Sequence, residues 1–215
     1  MDVNDGLRYT AKMEALIGGW RRAWEQGDFP FYFVQIAPYR YHKDRGERVK
    51  SADELPLMWE GQVNALRIAH TGMAGTTDLV DNLRDIHPRN KRDVGLRLAR
   101  IAPAKDYRKA DMVFSGPVFR RADFRPDDVV LHIDHGAGLK SRDGKPLSWF
   151  TIAGEDGRFV PAKATIEREH VVVRSDAVKA PKAVRFAWDE DAQPNLVNAG
   201  GLPALPFRTD RPESR

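Results

Sequence analysis

The hexapeptide Phe31-Tyr32-Phe33-Val34-Gln35-Ile36 constrains the fold more than any other stretch. It is a near-continuous apolar run of strand length, and such runs belong to strands covered on both faces, as in parallel sheets. Ahead of it, Tyr9, Met13, Leu16, Ile17, Trp20 and Trp24 recur at helical spacing and predict one broad apolar face. That helix should begin within residues 5–8 and stop at Gln26-Gly27, where glycine suits a C-terminal cap. Helix, short turn and buried strand together mark an α/β layer.

The next hundred residues extend that layer. Residues 38–50 are polar, aromatic and basic, which predicts a solvated loop, with contact to an anionic substrate as the alternative. Ser51-Ala52-Asp53-Glu54 offers a helix N-cap with acids in the first turn. The helix behind it should carry Leu57, Trp59, Val63, Leu66 and Ile68 to about residue 70. Residues 72–79 read as a second strand, and residues 91–105 as a last helix with Val94, Leu98 and Ile101 on one face. Between them lies Asp85-Ile86-His87-Pro88, a carboxylate and an imidazole two positions apart. Pro88 disfavours the α region for His87 and so fixes an extended or turn conformation. Loops on a rigid scaffold are where catalytic side chains concentrate. The Asp-x-His spacing alone is unspecific.

The pattern changes near residue 107. Short β-like runs follow at residues 112–114, 129–133, 149–152, 162–166, 170–174 and 183–188, with no helical period among them. Arg142-Asp143-Gly144-Lys145 and Gly154-Glu155-Asp156-Gly157 are turn sequences with glycine where a positive φ is needed. The expected organisation is a partial α/β domain over residues 1–108 and a small β-sandwich domain over residues 109–215.

Composition excludes several functions. Basic and acidic residues, 35 against 31, are intermixed along the chain, and no basic stripe interleaves with aromatics. Nucleic-acid binding is therefore not expected. No apolar run approaches the roughly 18 residues of a membrane span. The first residues, Met1-Asp2-Val3-Asn4-Asp5-Gly6, lack a charged-then-apolar leader pattern. The absence of cysteine excludes disulfides, thiolate catalysis and cysteine-bound zinc. His132-Ile133-Asp134-His135 is a poor metal signal, since the other histidines are scattered.

Several longer segments carry a family resemblance: Phe33-Val34-Gln35-Ile36-Ala37-Pro38-Tyr39, Thr71-Gly72-Met73-Ala74 running into Thr77-Asp78-Leu79, and Asp85-Ile86-His87-Pro88-Arg89-Asn90-Lys91. Ser148-Trp149-Phe150-Thr151-Ile152-Ala153-Gly154, Asn195-Leu196-Val197-Asn198 and Gly201-Leu202-Pro203-Ala204-Leu205-Pro206-Phe207 complete the set. In these the whole chain resembles the C-terminal part of sialate O-acetylesterase-like proteins, carbohydrate esterases of the SGNH-hydrolase superfamily. The resemblance implies the C-terminal half of an SGNH-type, flavodoxin-like α/β domain followed by a β-sandwich. It implies hydrolysis of O-acetyl esters on sugars by a Ser-His-Asp mechanism that needs no cofactor. His87 matches the family's histidine, and Asp85 is the nearest carboxylate to orient it; the position three before His87, where many SGNH enzymes place the acid, is Arg84.

The family's Gly-Gln-Ser-Asn nucleophile turn has no match here. Gly61-Gln62-Val63-Asn64 imitates it with valine in place of serine, inside an expected helix. Thr76 and Thr77 have no nucleophilic role in the family, and Ser115 and Ser148 fall in the β region. The expectation is an esterase half whose partner is either a missing N-terminal half or another copy, because a sheet without its first strands exposes an edge and an apolar face. The family is commonly exported or lysosomal. The alternative is a non-catalytic β-sandwich glycan-binding or docking module, with Trp149 or Trp188 stacking on sugar rings.

Overall fold

Strand β1 (Phe31–Val34) pairs in parallel with β2 (Thr71–Ala74), Phe31 opposite Thr71 and Val34 opposite Ala74. The computed structural model describes residues 2–45, 48–109 and 111–210. Parallel pairing demands a crossover, and the chain between the strands supplies it with α2 (Tyr41–Arg45) and α3 (Glu54–Asn64). Helix α1 (Arg8–Trp24) precedes β1, and α4 (Lys91–Lys105) follows β2. Successive strand side chains point to opposite faces, and the two faces of β1 are covered differently. Phe31 and Phe33 pack on the cluster of Met13 and Ile17 from α1 with Ala65. Tyr32 faces the other way: a Cβ on Gly72 would meet Ile101 of α4 at 2.6 Å and the Tyr32 ring at 3.0 Å. A second cluster joins Tyr41, Val49, Leu55, Met58 and Trp59, with Ile36, Tyr39 and Ile86 packed against it.

Several elements depart from the sequence expectation. Every residue of β1 is only half-buried, because β2 is its only strand partner among the described residues. In α1 only Met13 and Ile17 are buried; Leu16, Trp20 and Trp24 stay exposed, with Trp24 55% accessible. These rings partly cover one another: Trp20 stacks on Trp24 at 5.5 Å and Trp24 on Phe29 at 5.2 Å. Helix α1 ends at Trp24 and is capped two residues before Gly27, at Glu25, which itself adopts the left-handed conformation. Residues 38–50 are no solvated excursion, since α2 forms there and Tyr41 and Val49 are buried; residues 46 and 47 lie outside the described residues. Asp53 makes no side-chain cap, and the first turn closes through the Glu54 N–H bond to the Ser51 carbonyl. Helix α3 stops at Asn64 and a 3-10 turn, Ala65–Arg67, carries the chain toward β2.

The chain divides into two units: Met1–Ser115 with Asp189–Asp191, and Gly116–Trp188 with the residues from Ala192 onward. The second unit is all β. One antiparallel sheet runs β3 (Val118–Phe124), β4 (Val129–Asp134), β9 (His170–Arg174), β8 (Lys163–Glu167). A second runs β12 (Phe207–Arg208), β10 (Ala183–Phe186), β6 (Phe150–Ala153), β7 (Val160–Pro161), and β5 (Lys140–Ser141) pairs with β11 (Leu196–Val197). Val129, Leu131, Val171 and Val173 of the first sheet and Phe150, Ile152, Val184 and Phe186 of the second share one core. Residues 112–114 are not a strand; pairing begins at Val118. The runs expected at 149–152 and 183–188 shorten because Trp149 and Ala187 take left-handed φ values of 65° and 51°, ending the pleat.

Candidate active site

The C-terminal ends of parallel strands are where ligands bind in open α/β sheets. Here β1 and β2 end in a buried polar knot. The Gln35 N–H bonds the Ala74 carbonyl, the Thr76 hydroxyl bonds the Gln35 carbonyl at 3.1 Å, and the Gln35 side-chain oxygen accepts the Thr76 N–H. Asp78 follows, held by Arg97 of α4 in a two-point ion pair of 2.7 and 2.8 Å, with a third bond from Arg97 to the Gly75 carbonyl. Both partners are buried. This pair fixes where the loop leaves the sheet, and the sequence reading missed it. One signal was available: Arg97 sits on the same helical face as Val94, Leu98 and Ile101, where a charge needs a buried partner.

Asp85 and His87 lie further along this loop. The Arg84 N–H bonds the Asn82 side chain and the Asp85 N–H bonds the Asn82 carbonyl, both at 3.0 Å. One Asp85 carboxylate oxygen then accepts the His87 N–H at 2.9 Å, an Asx turn that sets the backbone ahead of Pro88. The same oxygen stands 3.9 Å from His87 Nδ1. The structure thus brings the two side chains together, with the close bond going to the His87 backbone and the imidazole 86% exposed. Between them Ile86 turns inward onto the cluster of Tyr41 and Trp59. A depression of about 410 Å³ beside the loop is lined by Asp78–Asp81, Arg89 and Asn90, without Asp85 or His87. Asn90 caps α4, accepting the Asp93 N–H at 3.1 Å.

The segment that imitates a nucleophile turn lies in a helix. Gly61-Gln62-Val63-Asn64 closes α3, and the buried Gln62 accepts the Ile36 N–H at 2.9 Å and donates to the Val34 carbonyl at 3.3 Å. It therefore braces the free edge of β1. Thr76 and Thr77 are both buried. Ser148 donates to the Asn195 side chain, part of a hub in which Asn195 also binds Ser141, Asp143 and the Pro146 carbonyl.

In the second unit His132 and His135 do not act together. His132 bonds Asp123 across the strand pair at 2.7 Å and its ring lies 4.4 Å from that of His170. The His132 hydrogen bond, helped by Arg121, holds the Asp123 carboxyl below its ordinary range. Among the described residues no three His, Asp or Glu side chains are placed to hold a metal ion. No described helix is long and apolar enough to cross a membrane.

Against known proteins, no family model matches the chain. Sialate O-acetylesterase of Rattus norvegicus is 27% identical over 93% of this chain and 40% of its own length; that of Homo sapiens is 26% identical over 93% and 42%. A crystal structure of a carbohydrate acetylesterase from Xanthomonas citri superposes on 97% of this chain and 48% of its own, at 40% identity and a TM-score of 0.87. The chain is a homologue of the sialate O-acetylesterases. It spans less than half the length of these acetylesterases, and its match to them runs through both units.

Proposed function

We propose that this chain forms part of a carbohydrate O-acetylesterase in which His87 is the general base and Asp85 its orienting carboxylate. The observation that carries the reading is the near full-length similarity to carbohydrate acetylesterases, combined with an exposed imidazole at the end of a loop leaving a parallel strand. In this reading the first unit is the rear half of an SGNH-type domain and the second, which begins at Gly116 and not near residue 109, a β-sandwich. The serine comes from polypeptide outside this chain. Its Oγ attacks the acetyl carbonyl while His87 takes the hydroxyl proton; the tetrahedral intermediate collapses and His87 returns that proton to the departing sugar oxygen. Water, deprotonated by His87, then releases acetate and restores the serine. Asp85, whose carboxylate stands 3.9 Å from Nδ1, orients the ring and stabilises the imidazolium. No cofactor enters these steps.

A mixing experiment tests this. The chain alone, and the chain with the separately expressed half of the Xanthomonas citri acetylesterase that it does not cover, are assayed for acetate release from O-acetylated sialic acid. Turnover in the mixture and none from either half supports the proposal; a mixture that forms a complex and stays inert sinks it.

The second reading, a glycan-binding module, draws on Trp149, which is 40% exposed. Sugar binding that Trp149→Ala abolishes, with no hydrolysis in any mixture, would favour it.

A further inference from the structure

Residues 189–191 belong to the first unit although the chain on either side of them does not. What they do there is specific. Glu190 is fully buried, and its carboxylate accepts the backbone N–H groups of His42 at 2.7 Å and Lys43 at 3.1 Å. Asp191 takes Arg40 Nε at 2.6 Å on one oxygen and the Lys43 ammonium on the other. Asp189 in turn accepts the Asp191 N–H at 2.7 Å. Glu190 and Asp191 thus grip residues 40–43 by backbone and side chain at once, with Asp189 bracing Asp191.

The gripped segment touches the Asp85/His87 loop at two points. The Arg40 N–H bonds the Leu83 carbonyl at 3.1 Å, four residues before His87. Tyr41 and Tyr39 share the apolar cluster that receives Ile86, the residue between Asp85 and His87. Few other contacts hold this loop among the described residues: past Asp78 its own bonds are local turns, and the His87 ring is largely exposed, with Asp85 3.9 Å away. From this geometry we infer that Asp191 and Glu190 are positioning residues for His87, acting through Arg40 and its bond to Leu83. The inference rests on the catalytic reading of His87 for its consequence, and on contacts alone for its structural part.

The test uses the full chain. Backbone amide exchange at Arg40, His42 and Lys43 and the ring resonances of His87 are recorded by NMR for the parent, Asp191→Asn, Arg40→Ala and Arg40→Lys. Losing a charged hydrogen bond should speed local opening about tenfold or more. Asp191→Asn and Arg40→Ala should both accelerate exchange at the gripped amides and shift the His87 ring, while Arg40→Lys restores part of each. In the complemented enzyme the same two variants should lower kcat at unchanged KM. Faster exchange with an unmoved His87 ring overturns the inference, leaving the acids as simple struts. A shifted ring with unchanged hydrolysis upholds the positioning and instead removes His87 from catalysis. Should Asp191→Asn not fold, Asp191→Glu moves the charge outward by one methylene, and an unmoved ring there counts equally against the inference.

Discussion

Arg97 holds the loop after β2 more firmly than any other single residue, because it closes a buried two-point pair with Asp78 and also binds Gly75. Removing one member of such a pair strands the other charge, at a cost of about 3–5 kcal/mol. Arg97→Ala should therefore lower the urea midpoint of the first unit sharply, and Arg97→Lys less, since a lysine keeps the charge but not the fork. In the second unit the same logic appears at Asp143, whose carboxyl is held at about 2 by hydrogen bonds from Asn195 and then Ser141 and the Lys145 N–H. A depressed carboxyl contributes stability above its unfolded value near 3.9, and that contribution is lost as the pH falls toward 2. Melting curves between pH 4 and 2 should flatten in Asp143→Asn; an unchanged slope would place the acid sensitivity elsewhere. Asp191 behaves in the same direction: burial raises its carboxyl, but the bonds from Lys43 and Arg40 prevail and leave it lowered. At this scale the motif and the resemblance single out His87 and Asp85, which the structure places 3.9 Å apart. Sequence reading missed Glu190 and Asp191, because partners about 150 positions away leave no local pattern.

Among the elements, periodicity located α1, α4 and five of the ten described strands of the second unit, each long enough to show a 3.6 or 2 repeat. It overstated burial in α1 and β1. The period of Leu16, Trp20 and Trp24 says which residues share a face, and not whether anything covers it. Residues 38–50 were misread because Tyr41 and Val49, spaced by charged residues, bury through tertiary packing that no local repeat records. The packing of α4 on β2 has its own test. Gly72→Ala puts a methyl 2.6 Å from Ile101 Cγ2 in a filled contact and should cost about 1–3 kcal/mol, recovered in part by Ile101→Leu, which lacks that β-branch methyl. Equal stability of the single variant and the parent would mean that α4 shifts freely on the sheet.

For the molecule as a whole, two facts stand together: the chain covers under half of each acetylesterase it resembles, and among the described residues its parallel sheet has two strands while α1 carries exposed aromatic residues. Exposed apolar faces of this kind drive association. Sedimentation of the isolated chain should show concentration-dependent self-association, weakened in Trp20→Ser/Trp24→Ser; a concentration-independent monomer would contradict this. The central claim is narrower, that His87 supplies the base of an O-acetylesterase. Its most direct measurement is acetate release from O-acetylated sialic acid by the complemented pair, comparing the parent with His87→Ala. Loss of the base should reduce turnover about a hundred- to ten-thousandfold while leaving complex formation intact. Turnover undiminished in His87→Ala would contradict the account and move the chemistry to another residue.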